Sequence, residues 1–183
     1  MMNINNYEYS GSIILFERGL SFEKYNYIFS YKYYLNLQKQ KIHFSYEKKI
    51  INFFEKLFIE NNNKVIIVID YIDSSIFHEI ENNSMFKKSK LREIKLFFSN
   101  LDGGKLFFNE KIEVYSKNIL KDLIELISRD YITIYFIFEN MDLILKSREE
   151  YEYEIYNLNS KNQVKFLEIC EQQKIFFKKN CEI

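Results

Sequence analysis

Between residues 46 and 69 the apolar residues change their spacing, and that change limits the folds open to the chain. Ile50, Phe53, Phe54, Leu57 and Phe58 stand at i, i+3, i+4, i+7 and i+8, the one-sided stripe of a helix that rests on a core. With Ser45 as N-cap and Asn61-Asn62-Asn63 as the stop, the spacing predicts a helix over 46–60. Val65-Ile66-Ile67-Val68-Ile69 follows as a wholly apolar β-branched run, the pattern of a central strand, with Asp70 expected to end it. A one-sided helix directly followed by a buried strand calls for packed layers of helix and sheet.

The rest of the chain fits that plan. Residues 13–18 read as a short strand. From 25 to 37 the odd positions carry Tyr25, Tyr27, Phe29, Tyr31, Tyr33, Leu35 and Leu37, with Asn26, Ser30, Lys32, Asn36 and Gln38 among the even ones. Side chains alternate across a strand, so this predicts a long strand with one buried face, as in an antiparallel or mixed sheet. A short helix is expected over 74–82. Residues 88–101 read as a helix closed by Gly103-Gly104, with a hairpin arm as the alternative. Strands are expected at 105–115, 131–138, 141–146, 150–156 and 174–178. A helix carries Leu120, Leu123, Ile124 and Ile127 behind Ser116 or Asn118, and Ser160-x-x-Gln163 opens a last helix to about 173 as a capping box. The expected fold is a single layered α/β (mixed α+β) domain over 1–183. It has a mixed or largely antiparallel sheet of about 6–8 strands, packed by 4–5 helices.

Composition narrows the function classes. Lys+Arg and Asp+Glu are both 26, giving a net charge of zero, which disfavours a polycationic nucleic-acid binder. There is no Ala, Pro or Trp, while Phe reaches 18 and Tyr 15. This is the residue usage of a strongly AT-rich genome, so aromatic abundance is not read as a binding site. The start, Met1 to Tyr7, has no basic segment followed by an apolar stretch, and the longest apolar run, near Tyr131–Phe138, falls far short of the roughly 20 residues that cross a bilayer. A cytoplasmic protein with reduced Cys170 and Cys181 and no membrane partner is expected.

Catalytic and cofactor patterns are sparse. Gly11, Gly19, Gly103 and Gly104 compose neither nucleotide fingerprint. His43 and His78 stand alone, and Cys170 and Cys181 have no companions for a zinc site; Cys170 is expected to pack as a small hydrophobe. Asp70, Asp73, Ser74, Ser75 and His78 share one segment, which ordinary helix capping by Asp73 or Ser74 explains. No cofactor and no resident metal is expected. The one concrete enzyme alternative is a metal-dependent nuclease-like set, Asp70 and Asp73 with the acid-x-Lys step Glu93-Ile94-Lys95, which resembles the PD-(D/E)xK nucleases in that fragment. The fragment lacks the Pro before Asp, and 92–98 reads better as helix than strand.

Two charge clusters remain. Residues 85–95 sum to +4 through Lys87, Lys88, Lys90, Arg92 and Lys95 against Glu93; with no second basic stripe, nucleic acid is not the expected partner. Residues 139–156 sum to −4. There, a strand would set Glu150, Glu152 and Glu154 on one face and Tyr151, Tyr153 and Ile155 on the other. Such a row is either a solvated face that protects a sheet edge or the complement of a basic partner. The candidate partner-binding residues are Asp142, Glu149, Glu150, Glu152, Tyr153 and Glu154, with Tyr as an interface anchor. A small acidic-faced chain without catalytic motifs resembles, in type, the single-domain immunity proteins with which bacteria neutralise toxins. That resemblance implies a non-catalytic, cytoplasmic inhibitor that occludes a basic toxin domain. A phage-encoded or accessory structural protein is the further alternative. The enzyme reading is tested by calorimetry: a nuclease-like centre gives Mg²⁺ or Mn²⁺ heat that Asp70→Asn abolishes, and a wild type without such heat ends that reading.

Overall fold

Helix α1 (Leu37–Glu60) and strands β1 (Tyr9–Ile14) and β2 (Val65–Ile72) open a computed structural model. It describes residues 7–15, 37–72, 97, 110–128, 131–148, 151–158 and 160–179. Next come β3 (Lys111–Val114), α2 (Lys117–Ile127), β4 (Ile132–Phe138), a 3₁₀ turn (Glu139–Met141), β5 (Leu143–Ser147), β6 (Tyr153–Tyr156), α3 (Ser160–Gln173) and β7 (Phe176–Lys179). The strands form one sheet of seven in the order β3-β2-β4-β5-β6-β1-β7, every neighbouring pair antiparallel. The mixed α+β class and the strand number are as expected. Among the described residues there are three α-helices rather than 4–5. The elements expected at 74–82 and 88–101 lie outside the described residues, Phe97 apart.

Alternation sorts the sheet into two faces. Val65, Ile67 and Ile69 of β2, Ile134, Phe136 and Phe138 of β4, Leu143 and Leu145 of β5, and Tyr153 and Ile155 of β6 join the apolar stripes of the helices in the main core. Phe54 of α1 sits at its centre, with ring centroids 4.6 Å from Phe136, 5.0 Å from Tyr153 and 6.3 Å from Phe138. α2 and α3 both pack on α1, Phe53 meeting Phe166 edge-on at 5.9 Å. Cys170 is buried here as a small hydrophobe, and burial pushes its thiol up to about 12. On the opposite face, Val68, Tyr135 and Ile144 form a smaller cluster with Tyr7, Ile137 and Tyr156.

The ends of the elements show where local pattern and structure part. α1 starts at Leu37, so Ser45 is no N-cap; it lies inside the helix and donates its hydroxyl to the Ile42 carbonyl at 2.6 Å. The physical reason is that the buried stripe runs back from Ile50 through Glu47 and His43, polar residues that a hydrophobic period does not register. Leu37 and Gln38 are therefore helical, and the rest of the alternating segment 25–36 lies outside the described residues. Asn62 and Asn63 take left-handed backbone (φ 59° and 57°) and stop α1 as expected, Asn63 N–H returning to the Phe58 carbonyl at 2.9 Å. Ser116 caps α2, accepting the Ile119 N–H at 3.4 Å.

Among the strands, β2 passes Asp70 and ends at Ile72, because a bulge between Ile69 and Tyr71 absorbs the aspartate without breaking the ladder to β4. β1 begins four residues before the expected start, with a bulge between Tyr9 and Gly11 in its pairing with β6, and Gly11 lies close against β7. Gly11 has φ 146°, and a Cβ there would lie 2.3 Å from the Lys178 carbonyl oxygen, so only glycine fits. β6 is confined to Tyr153–Tyr156, preceded by left-handed Tyr151 (φ 60°). Truncating Phe54 to Ala removes the contact shared by α1, β4 and β6. Urea denaturation is expected to show a loss of about 3–5 kcal/mol, with the m-value unchanged.

Candidate functional site

The smaller sheet face carries a charged cleft of 510 Å³ where β5 turns into β6. Its floor follows from strand register. Lys146 of β5 lies opposite both Tyr135 of β4 and Glu154 of β6. Its stem crosses β4, the ammonium passing 4.7 Å from the Tyr135 ring centroid, and reaches Asp70 on β2 at 3.3 Å. Arg148, just beyond β5, pairs with the Glu154 carboxylate at 2.6 Å, and the Tyr156 hydroxyl donates to the other Glu154 oxygen at 2.8 Å. Thr133, Ser147, Glu152 and Tyr9 complete the walls.

Backbone and side-chain hydrogen bonds hold the turn in place. The Ser147 hydroxyl oxygen accepts the Ile134 N–H at 2.9 Å, ending the β4–β5 ladder. The Arg148 N–H donates to the Glu152 carbonyl at 2.8 Å, closing the turn. Between them, Tyr151 points inward, its hydroxyl 2.9 Å from Nδ1 of His43 on α1. His43 in turn stands 3.6 Å from Glu47, both deeply buried. The turn is thus tied to α1 through the core.

The charges are fixed. Burial alone would push Lys146 down, but the Tyr135 hydroxyl and Asp70 outweigh it and hold the ammonium above its ordinary range. Burial alone would push Glu154 up, yet the hydrogen bonds from Arg148 and Tyr156 dominate and hold the carboxyl below the usual carboxylate range. Glu154 in return raises Arg148, and burial together with Glu154 raises the Tyr156 phenol well above its ordinary value. The cleft therefore sets Lys146, Arg148 and Glu154, each held toward its charged form by its neighbours, beside Asp70 and Glu152.

The structure redistributes the acidic residues singled out from sequence. Glu152 is exposed on the rim, and among the described residues it has no ion-pair partner. Glu154 is half-buried and internally paired. Tyr153 does not belong to this surface: it is 0% exposed, because strand alternation turns it to the face opposite Glu154. Asp142 is exposed but lies at the far end of β5, in the β4–β5 turn with φ 46°, about 20 Å from Glu152 at the rise of a strand. Glu149 and Glu150 lie outside the described residues. Of the nuclease-like set, Asp70 is committed to Lys146, while Asp73, Glu93 and Lys95 lie outside the described residues, as do Ser74, Ser75, His78 and Cys181. No group of three or more His, Cys, Asp or Glu that could hold a metal ion occurs among the described residues.

Sequence reasoning passed over Lys146, Arg148 and Tyr9. The signal was there for the two cations: 146, 148, 152 and 154 share even parity across one hairpin, so all four face one side. No protein-family model, curated protein or solved structure matches the chain. No helix among the described residues is long and apolar enough to cross a membrane.

Because Glu154 has a depressed folded-state pKa, its contribution to stability is complete above the unfolded carboxylate value of 4.5 and is lost as pH falls through the lower folded value. Glu154→Gln is accordingly expected to cost about 1 kcal/mol at pH 7 and progressively less below pH ~4. Urea denaturation at pH 7 and pH 3 measures the difference, and an equal cost at both contradicts the assignment.

Proposed function

We propose that this chain acts by binding another protein, with the cleft and the turn above it as the contact surface, and that its best-fitting role is that of a cytoplasmic bacterial immunity protein that blocks a basic toxin domain. The observation that carries the reading is the surplus carboxylate. Lys146 and Arg148 are each matched by an acid within the cleft, leaving Glu152 exposed and unmatched among the described residues. The sequence of the same turn adds Glu149 and Glu150. Carboxylates concentrated on one turn speed encounter with a basic surface and select against acidic ones.

Support also comes from the anchoring of the residues around Glu152. The Arg148 N–H is bound to the Glu152 carbonyl and the Tyr151 hydroxyl to His43 of α1, so these flanking residues need little further ordering on association. Occlusion needs no reactive group, only a surface that competes for the toxin's cationic substrate cleft. Asp142, at the opposite end of β5, contributes to long-range attraction rather than to the same contact.

Glu150→Lys combined with Glu152→Lys is expected to weaken the complex with the cognate basic protein by about tenfold or more while leaving the melting temperature unchanged. The wild-type complex is also expected to weaken as salt rises. Equal affinity after the double reversal removes this surface from the function.

A further inference from the structure

We propose that the cleft is a seat for one arginine side chain presented by the partner protein; the inference rests on the binding reading above and assigns its specificity. The cavity of 510 Å³ lies within the range of pockets that bury small ligands. Three of its features select a planar cation.

The first is charge. Asp70, Glu152 and Glu154 face Lys146 and Arg148 in one cleft, a sum of −1 with both resident cations already paired at 3.3 and 2.6 Å. An entering anion would meet the unmatched Glu152 and would have to displace Asp70 or Glu154 to reach a cation. An entering cation keeps both resident pairs and gains Glu152.

The second is acceptor geometry. Each Glu154 oxygen already takes one donor, Oε1 from Arg148 and Oε2 from the Tyr156 hydroxyl, which locks the carboxylate in orientation while leaving acceptor capacity on both oxygens. A guanidinium presents several N–H donors in a fixed fork and spans two carboxylates, whereas an ammonium is a compact, strongly hydrated point charge.

The third is the wall. Tyr9, 40% exposed, lines the cleft and is held edge-on to Tyr156 at 5.7 Å and 66°. A guanidinium stacks on such a ring more favourably than an ammonium does. Tyr9 also borders a second cleft of 410 Å³ lined by Glu8, Ser10, Gln163 and Lys179. That leaves room for the chain flanking the arginine, as a protein ligand requires and a free metabolite does not.

The test uses N-acetyl-arginine methylamide as the probe, titrated into the full chain and followed by ¹⁵N amide shifts, with the lysine and glutamate analogues alongside. Saturable shifts confined to residues 146–154 and the Tyr9 region are expected for the arginine probe. The lysine analogue should bind about fivefold more weakly, and the glutamate analogue should leave the cleft unshifted. Glu152→Gln is expected to weaken the arginine probe by about fivefold, with Glu152→Asp restoring part of the loss. Tyr9→Leu should bring arginine and lysine to near parity, with melting unchanged in each variant. Absence of saturable shifts, equal affinity for the two cations, or indifference to Glu152→Gln overturns the proposal. If the complex with the cognate protein survives Tyr9→Leu and Glu152→Gln but fails in the double lysine reversal, the arginine seat is wrong and the binding reading stands. If the probe binds as expected and no basic protein is bound, the seat stands and the immunity reading fails.

Discussion

The contact of Phe54 with Phe136, Phe138 and Tyr153 is the constraint on which the rest of the structure depends. One ring from the helix touches two strands that are not neighbours, β4 and β6, and so fixes how α1 lies across the sheet. With α1 placed, the odd-numbered inward residues of β6 are committed to the core, and the even-numbered ones, including Glu154, are committed to the opposite face. The charged cleft is the reverse side of that packing decision. A one-residue slip of β6 would carry Tyr153 to the polar face and drive Glu154 into the apolar layer, at a desolvation cost no pairing there would offset.

How much of this was legible depends on the scale at which the information is written. The body of α1, the cap and stripe of α2, and the run Val65–Ile69 are local patterns, and they appear where the spacing puts them. The first third of α1 was hidden because the apolar stripe gives way there to polar His43, with Glu47 one turn after it, both buried through interactions that a hydrophobic period cannot anticipate. The acidic segment was misgrouped for a different reason. Asp142 and Glu152 are ten residues apart in sequence, but β5 runs between them, so sequence proximity becomes separation across the sheet. Tyr153 was assigned to a surface on residue type, where strand parity already placed it inside.

The cleft itself was half legible. Lys146, Arg148, Glu152 and Glu154 belong to one hairpin, and their shared parity is in the sequence. Asp70 and Tyr9 come from β2 and β1, and only the strand order β2-β4-β5-β6-β1 brings them to the same place. That order is set by non-local pairing, which no window of residues contains. Lys146 reaches across β4 to β2 with its ammonium beside the Tyr135 ring, so a tyrosine on a strand that contributes no charge to the cleft borders its central ion pair.

The sheet's two outer strands carry a consequence for a chain so rich in Phe, Tyr and Ile. Among the described residues β3 and β7 are only four residues long, and they stand at the two ends of the strand order with Lys111 and Glu113 on one side and Lys178 and Lys179 on the other. Short, charged borders give a neighbouring molecule little backbone to template on and place ammonium groups where a growing fibril would have to bury them. A sequence loaded with Phe, Tyr and Ile is thereby easier to keep from self-association, since these two described edge strands are poorly suited to propagate a ladder.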